Sequence, residues 1–261
     1  MHLLIVNDDG IYSPGILALA RAAREFGDVR IVAPDVERSS MGHAVTHNRP
    51  LSYRRTPLDD FDAYRVDGTP ADCVAVGFSV WEKADIVLSG INLGFNLGNG
   101  MWHSGTLAGA KQAALMGRRG IALSTAATKD EPNFDALRPF VCEVLQALLP
   151  HPEWSLVNVN LPERPLGMQW TRQSVRHYDG RIVPSKDPMG RLHYWFSAFP
   201  VEETEEGTDR WATDHQFISM TPLRLDLTDM DALARVLKRV DEGQHVGQSG
   251  NTVRVGNADR L

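Results

Sequence analysis

The chain is poor in cysteine, in positive charge and in long apolar runs, and each shortage removes a class of function. Its two cysteines, Cys73 and Cys142, are far apart and not at metal-ligand spacing. That spacing speaks against a cysteine zinc site, and a single disulfide is the alternative to reduced thiols. Both fall in stretches with an amphipathic helical pattern, so buried reduced thiols are expected. No apolar stretch approaches the ~20 residues that span a bilayer. Met1-His2-Leu3-Leu4-Ile5-Val6 runs straight into Asn7-Asp8-Asp9, without a basic region or a cleavable apolar segment. The reading is a core strand, no membrane association and a cytoplasmic location. The net charge of −6 gives no electrostatic footprint for duplex nucleic acid. It also means that an anionic ligand needs help from a metal or from helix N-termini. Gly-x-Gly-x-x-Gly after the first strand, Walker A, Gly-x-Ser-x-Gly and His-Glu-x-x-His are all missing.

What is present suits one large domain, or a core domain with an appendage. The chain has 261 residues, 43% hydrophobic and 23% charged. The first half alternates strand and helix patterns, which predicts a Rossmann-like α/β fold: a mostly parallel sheet with helices on both faces. Leu3–Val6 and Val29–Ala33 read as strands, separated by a helix opened by Ser13-Pro14-Gly15. Gly68-Thr69-Pro70-Ala71-Asp72 is a helix start, with Thr69 as N-cap and Pro70 in the first turn. Ile86-Val87-Leu88 is a buried strand. Ser89 to Gly100 reads as irregular, too glycine-rich for a regular element and too apolar for a linker. Residues 1–150 are expected to form the core carrying the site. Residues 151–242 would complete it and add a β-hairpin, with an arm at His193–Phe199, and a late helix, both used in oligomerisation. Residues 243–261, rich in Gly, Gln and Asn, read as a loose tail.

In open parallel sheets, ligands bind outside the carboxyl ends of the strands. Three polar loops directly follow apolar strands: Asn7-Asp8-Asp9-Gly10, Arg38-Ser39-Ser40, and Ser89-Gly90-Ile91-Asn92. Right-handed crossovers put all three on one edge. Asp8 and Asp9 are adjacent carboxylates with no Lys or Arg within several residues. Burying both at a strand end is costly without a cation. The competing reading is an acidic turn in which Asp9 caps the next helix. Ser39, Ser40 and Asn92 add oxygen donors, and an all-oxygen set selects Mg²⁺, Mn²⁺ or Ca²⁺ over zinc. Ser104-Gly105-Thr106 opens a helix, where free amides and a glycine suit a phosphate; a plain Ser N-cap is the alternative. Asn96 is a candidate amide donor to a phosphoryl oxygen, or a loop-holding residue.

These motifs resemble the SurE survival proteins, also described as 5′/3′-nucleotidases. The resemblance runs over about residues 1 to 240. It is carried by Asn7-Asp8-Asp9-Gly10, Ala33-Pro34-Asp35 with Arg38-Ser39, Gly68-Thr69-Pro70-Ala71-Asp72, Ser89-Gly90-Ile91-Asn92, Asn96-Leu97-Gly98 and Ser104-Gly105-Thr106. Thr171-Arg172-Gln173-Ser174, Asp187-Pro188 and Thr221-Pro222-Leu223 extend it. Asn99-Gly100 departs from the acidic residues that many members carry there. The resemblance implies one divalent metal per subunit, Mg²⁺ or Mn²⁺, held by Asp8, Asp9, Ser39 and Asn92, with Asp8 and Asp9 as the catalytic pair. It implies phosphate binding near Asn96, Ser104, Gly105 and Thr106, and release of phosphate from nucleoside 5′- and 3′-monophosphates, with short polyphosphate in some members. It also implies a homodimer or homotetramer, since relatives exchange the hairpin and late helix between subunits. Attack by an Asp8 or Asp9 carboxylate on phosphorus is the less favoured route, because a metal-bound carboxylate is a poorer nucleophile. A nicotinamide oxidoreductase is disfavoured, as carboxylates stand where glycine amides should meet pyrophosphate. The remaining alternative is a nucleotide-binding stress or interaction protein without turnover.

Overall fold

Leu3, Leu4, Ile5 and Val6 are completely buried, as a strand covered on both faces requires. A computed structural model describes residues 1–127, 133–175, 179–199 and 204–241. Chain contacts divide it into a unit Met1–Leu223 and a second unit from Arg224 on. The first unit runs β1 (His2–Val6), α1 (Pro14–Ala23), β2 (Asp28–Pro34), β3 (Tyr53–Arg55), β4 (Asp62–Val66), α2 (Pro70–Val80), β5 (Ile86–Leu93), α3 (Gly105–Leu115), β6 (Arg119–Thr125), α4 (Phe134–Leu148) and β7 (Leu156–Leu161). It continues with β8 (Gly167–Trp170), β9 (Asp179–Lys186), β10 (Leu192–Phe199), α5 (Asp209–Asp214) and β11 (Phe217–Pro222). The described part of the second unit contains α6 (Met230–Asp241), whose first turn is capped by the Asp229 carboxylate on the Ala232 N–H at 2.8 Å.

The sheet has nine strands in the order β3-β4-β2-β1-β5-β6-β7-β11-β8. β4, β2, β1, β5, β6 and β7 are parallel, which is the expected α/β core. β1 alternates its side chains between the two faces. Leu3 and Ile5 pack with Ile16 and Leu19 of α1 and Val141 and Val144 of α4, whereas Leu4 and Val6 pack with Cys73 and Val74 of α2 and Ala113 of α3. Helices therefore cover both faces. β9 and β10 form a separate antiparallel hairpin, pairing Leu192 with Lys186 through to Phe199 with Asp179.

The α2 start forms as its sequence predicts. Thr69 Oγ1 accepts from the Asp72 N–H, and the Asp72 carboxylate accepts from the Thr69 N–H at 2.9 Å, a closed capping box. Asp72 also takes the Thr46 N–H (2.9 Å) and hydroxyl (2.6 Å), tying the long loop after β2 to this helix. Burial alone would raise the Asp72 pKa; these hydrogen bonds outweigh it and hold the carboxyl below 3.8. Both cysteines are free, Cys73 buried and Cys142 half-buried.

Three differences from the sequence expectation are informative. β5 does not stop at Leu88 but continues to Leu93, through the stretch expected to be irregular. Gly90 makes this possible: a Cβ there would sit 2.1 Å from the Leu123 carbonyl oxygen of β6. The β5–β6 pairing slips between Ser89 and Asn92 and resumes with Asn92 opposite Ser124. Later in the same glycine-rich stretch, Gly98–His103 forms a 3₁₀ turn. Finally, residues 151–242, expected to add a hairpin and one late helix, also contain the short helix α5, capped by the Thr208 hydroxyl on the Trp211 N–H (3.3 Å). The expected tail at 243–261 lies outside the described residues.

Candidate active site

Sheet order places the site. From β1 the chain steps to β2 and β4 on one side, then crosses to β5 and β6 on the other. The crevice between the carboxyl ends of β1 and β5 is thus the topological switch point, where ligands of such sheets bind. Asp8 and Asp9 follow β1, and Asn92 lies at the end of β5.

Backbone contacts join the loops there. The Arg38 N–H donates to the Asp8 carbonyl at 2.7 Å, and the Ile11 N–H donates to the Pro34 carbonyl at 2.8 Å. Gly10, at φ 95°, lets the first loop pass close to Val36 and Glu37; a Cβ there would lie 3.3 Å from the Val36 carbonyl carbon. Asn7, fully buried, braces the turn by donating to the Gly10 carbonyl (2.9 Å) and to Ser13 Oγ (2.7 Å).

Asp8 is buried, and the Thr106 hydroxyl donates to its Oδ1 at 2.7 Å. Burial pushes its pKa up; the Thr106 hydroxyl and backbone N–H work against that. The carboxylate therefore rests on the first turn of α3, where unpaired amides and the helix dipole favour negative charge. Gly105 faces the same group: a Cβ on it would come within 2.8 Å of Asp8 Cβ and Oδ2. Asp9 is half-buried, and burial with the neighbouring Asp8 pushes its pKa up to about 6, against a hydrogen bond from Leu93. Among the described residues neither carboxylate has a Lys or Arg partner.

Of the other expected ligands, Asn92 donates its side-chain amide to the Gly94 carbonyl at 2.6 Å, and its side-chain oxygen takes no hydrogen bond among the described residues. Ser39 is exposed and donates to Glu37 Oε1 at 2.7 Å. Ser104 is the N-cap of α3, accepting from the Leu107 N–H at 3.0 Å, so its hydroxyl has the plain capping role. Asn96 holds a buried polar network instead of facing solvent. Its amide donates to Ser124 Oγ (2.8 Å) and to Thr106 Oγ1 (3.4 Å). Its N–H donates to Asn160 Oδ1 (2.8 Å), and its carbonyl accepts from Asn158 (2.7 Å) and Asn160 (3.1 Å). The chain of contacts runs from Asn158 and Asn160 through Asn96 and Thr106 to Asp8.

A hard divalent cation fits this donor set. Among the described residues Asp8 and Asp9 are adjacent carboxylates without a Lys or Arg partner, each with its pKa raised by burial, and a hard cation would relieve their repulsion. Among the described residues no group of three or more His, Cys, Asp or Glu side chains is arranged to hold a metal.

Sequence reasoning missed several residues that shape this site. Glu37 lies close enough to raise the pKa of both Asp8 and Asp9. Asp209, completely buried, accepts the Gly98 N–H (2.8 Å) and the Ser174 N–H (2.9 Å), and Gln173 donates to the Gly98 carbonyl (3.0 Å). Together they pin the loop before Ser104. For Asn158 and Asn160 the one available signal was polar residues inside the apolar run Leu156-Val157-Asn158-Val159-Asn160-Leu161.

Comparison with known proteins agrees with this architecture. A family model described as Survival protein SurE matches residues 3–180. The chain is 43% identical over 249 residues to 5′-nucleotidase SurE 1 of Thermus thermophilus, covering 92% of this chain and 99% of that protein. It is 42% identical over 243 residues to 5′-nucleotidase SurE of Geobacter sulfurreducens, covering 90% and 92%. A crystal structure of the SurE protein from Aquifex aeolicus aligns with a TM-score of 0.79 at 39% identity, over 93% of this chain and 100% of that one. Sequence, motif order and fold thus converge from end to end of the relatives, and the chain belongs to the SurE family.

Proposed function

We propose that the protein is a divalent-metal-dependent phosphomonoesterase that releases phosphate from nucleoside 5′- and 3′-monophosphates, and from short polyphosphate. The observation that carries this reading is the pair Asp8–Asp9, without a cationic partner among the described residues and at the switch point of the sheet, in a chain 43% identical to a named 5′-nucleotidase. Asp8, Asp9, Ser39 and Asn92 would hold one Mg²⁺ or Mn²⁺ per subunit. When bound, such an ion withdraws charge from a phosphoryl oxygen and lowers the pKa of a water. Thr106 fixes one oxygen of Asp8 and leaves the other directed past Gly105. The start of α3, at Ser104, Gly105 and Thr106, presents positive potential to the phosphate, and Asn96 keeps Thr106 in register for that task.

A phosphate-release assay over 5′- and 3′-nucleoside monophosphates and tripolyphosphate tests the proposal. Release is expected with Mg²⁺ or Mn²⁺ and is expected to vanish with EDTA. Tight nucleotide binding with no phosphate released under any metal would instead identify a nucleotide-binding protein without turnover.

We further propose a homodimer or homotetramer built through the hairpin. Tyr194, Trp195 and Phe196 on β10 are each 65% exposed, and Ile182 on β9 is 59% exposed. A two-stranded hairpin is marginal in water, and an apolar surface of this kind is covered in stable proteins. α6 carries a further apolar stripe at Leu233 and Val236. Light scattering at micromolar concentration is expected to give at least twice the 28.9 kDa chain mass. A monodisperse monomer would refute the assembly.

No described helix is long and apolar enough to cross a membrane.

A further inference from the structure

Beside the switch point, on the β3–β4 edge, lies an open polar cleft of about 420 Å³ lined by Asp35, Ser52, Arg54, Arg65 and Asp67. Arg54 and Arg65 are directly opposite each other in the antiparallel β3–β4 pair. Directly opposed side chains share a face with Cβ atoms about 5 Å apart, and like charges so placed destabilise a sheet. In a chain of net charge −6 such a pair calls for an anion.

The carboxylates lining the cleft do not neutralise these arginines. Asp67 accepts the Ser52 N–H at 2.8 Å and pairs with Arg49 at 3.0 Å, which hold its carboxyl below the usual range. Asp35 pairs with Arg38 at 3.4 Å. Among the described residues Arg54 has no carboxylate partner, and the one side-chain hydrogen bond of Arg65 is to the Tyr12 hydroxyl, at 3.3 Å. Two guanidinium forks, each with donors to spare, therefore look onto one space.

The cleft adjoins the active-site turn. Tyr12 is three residues beyond Asp9, and its hydroxyl holds Arg65. Asp35 follows Pro34 of β2, its N–H bonded to the Val66 carbonyl at 2.9 Å, and belongs to the loop whose Arg38 N–H meets Asp8. The cleft and the Asp8–Asp9 turn are thus linked through Tyr12 and through the loop after β2.

We propose that this cleft is a second anion subsite, which takes the remote phosphate of a substrate carrying two phosphate groups, such as a nucleoside 3′,5′-bisphosphate. The inference rests on the phosphomonoesterase reading given above and adds a substrate class to it. Arg–phosphate pairing is bidentate and charge-assisted, so losing one fork costs about tenfold in affinity.

Two measurements test it. In the first, kcat/KM is compared for a nucleoside 3′,5′-bisphosphate and the corresponding 5′-monophosphate, in the wild type and in Arg54→Gln and Arg65→Gln. The wild type is expected to prefer the bisphosphate, and each variant to lower that preference by about tenfold. An unchanged preference overturns the proposal. In the second, pyrophosphate is titrated calorimetrically into the full-length, metal-free protein. The double variant Arg54→Gln/Arg65→Gln is expected to bind at least tenfold more weakly than the wild type, and equal binding overturns the subsite. This arm reads the cleft without turnover. A protein that releases no phosphate yet shows the calorimetric difference would defeat the phosphomonoesterase reading and, with it, the substrate assignment, while leaving the anion site itself measured.

Discussion

Asp9→Asn is expected to reduce metal-dependent phosphate release by roughly 10²-fold or more, and Asp8→Asn to behave alike, because electrostatic help from a bound ion is worth several kcal/mol. The same Asp9 variant is expected to melt higher than the wild type in the presence of a chelator. The sign follows from the direction of the shift. Burial and the Asp8 charge raise Asp9 from 3.8 to about 6, so at neutral pH the folded chain holds the charged carboxylate less favourably than the unfolded chain does. That opposition is present above about pH 6 and fades as the pH falls through it. Removing the charge relieves it. Because solvent screens a half-buried group, the gain is discounted to about 1 kcal/mol, a rise of roughly 2–4 °C in a chain of this size. Activity lost while apo stability is gained is the signature of a site held against the preference of the fold. Melting curves in EDTA and initial rates in Mg²⁺ or Mn²⁺ check both halves. Near-normal rates in folded Asp8 and Asp9 variants would remove the pair from the mechanism.

The parts of this molecule written in local sequence were readable, and those written in tertiary contact were not. Thr69, Pro70 and Asp72 announce a helix start within four residues, and the capping box forms there. Apolar runs such as Leu3–Val6 announce two-faced strands because both faces must be covered. The loops at Asp8, Arg38 and Asn92 converge because parallel topology puts strand ends on one edge. By contrast, the bond from the Gly98 N–H to Asp209 spans 111 residues, and nothing near Asp209 signals it. Asn158 and Asn160 alternate with valines as a solvated strand face would, yet β7 lies inside the sheet with both asparagines fully buried. Only the neighbouring Asn96 loop turns them into supports of the site. The path of β5 through Gly90 was hidden for a related reason. Glycine is weak in strands on average, and here it is required by the approach of the Leu123 carbonyl.

Gly105→Ala is expected to weaken divalent-metal binding and phosphate release together, each by about tenfold or more. From sequence, Gly105 suits close approach of a phosphate to the helix start, which would separate the two losses. The geometry couples them. A Cβ at this position lies 2.8 Å from both Asp8 Cβ and Asp8 Oδ2. A separation below 3.0 Å forces something to move, and Asp8 has little freedom to do so. Its Oδ1 is held by the Thr106 hydroxyl at 2.7 Å, and its carbonyl by the Arg38 N–H at 2.7 Å. Either the Thr106 bond breaks or α3 shifts, and overpacking of this kind costs about 1–3 kcal/mol of stability. Gly100→Ala is the matched control, since nothing lies within 4 Å of a Cβ there, and it is expected to change neither quantity by more than about twofold. Calorimetric titration of Mn²⁺ separates the two accounts. If Gly105→Ala binds Mn²⁺ as the wild type does and loses only substrate affinity, the glycine serves the phosphate directly and its contact with Asp8 is incidental.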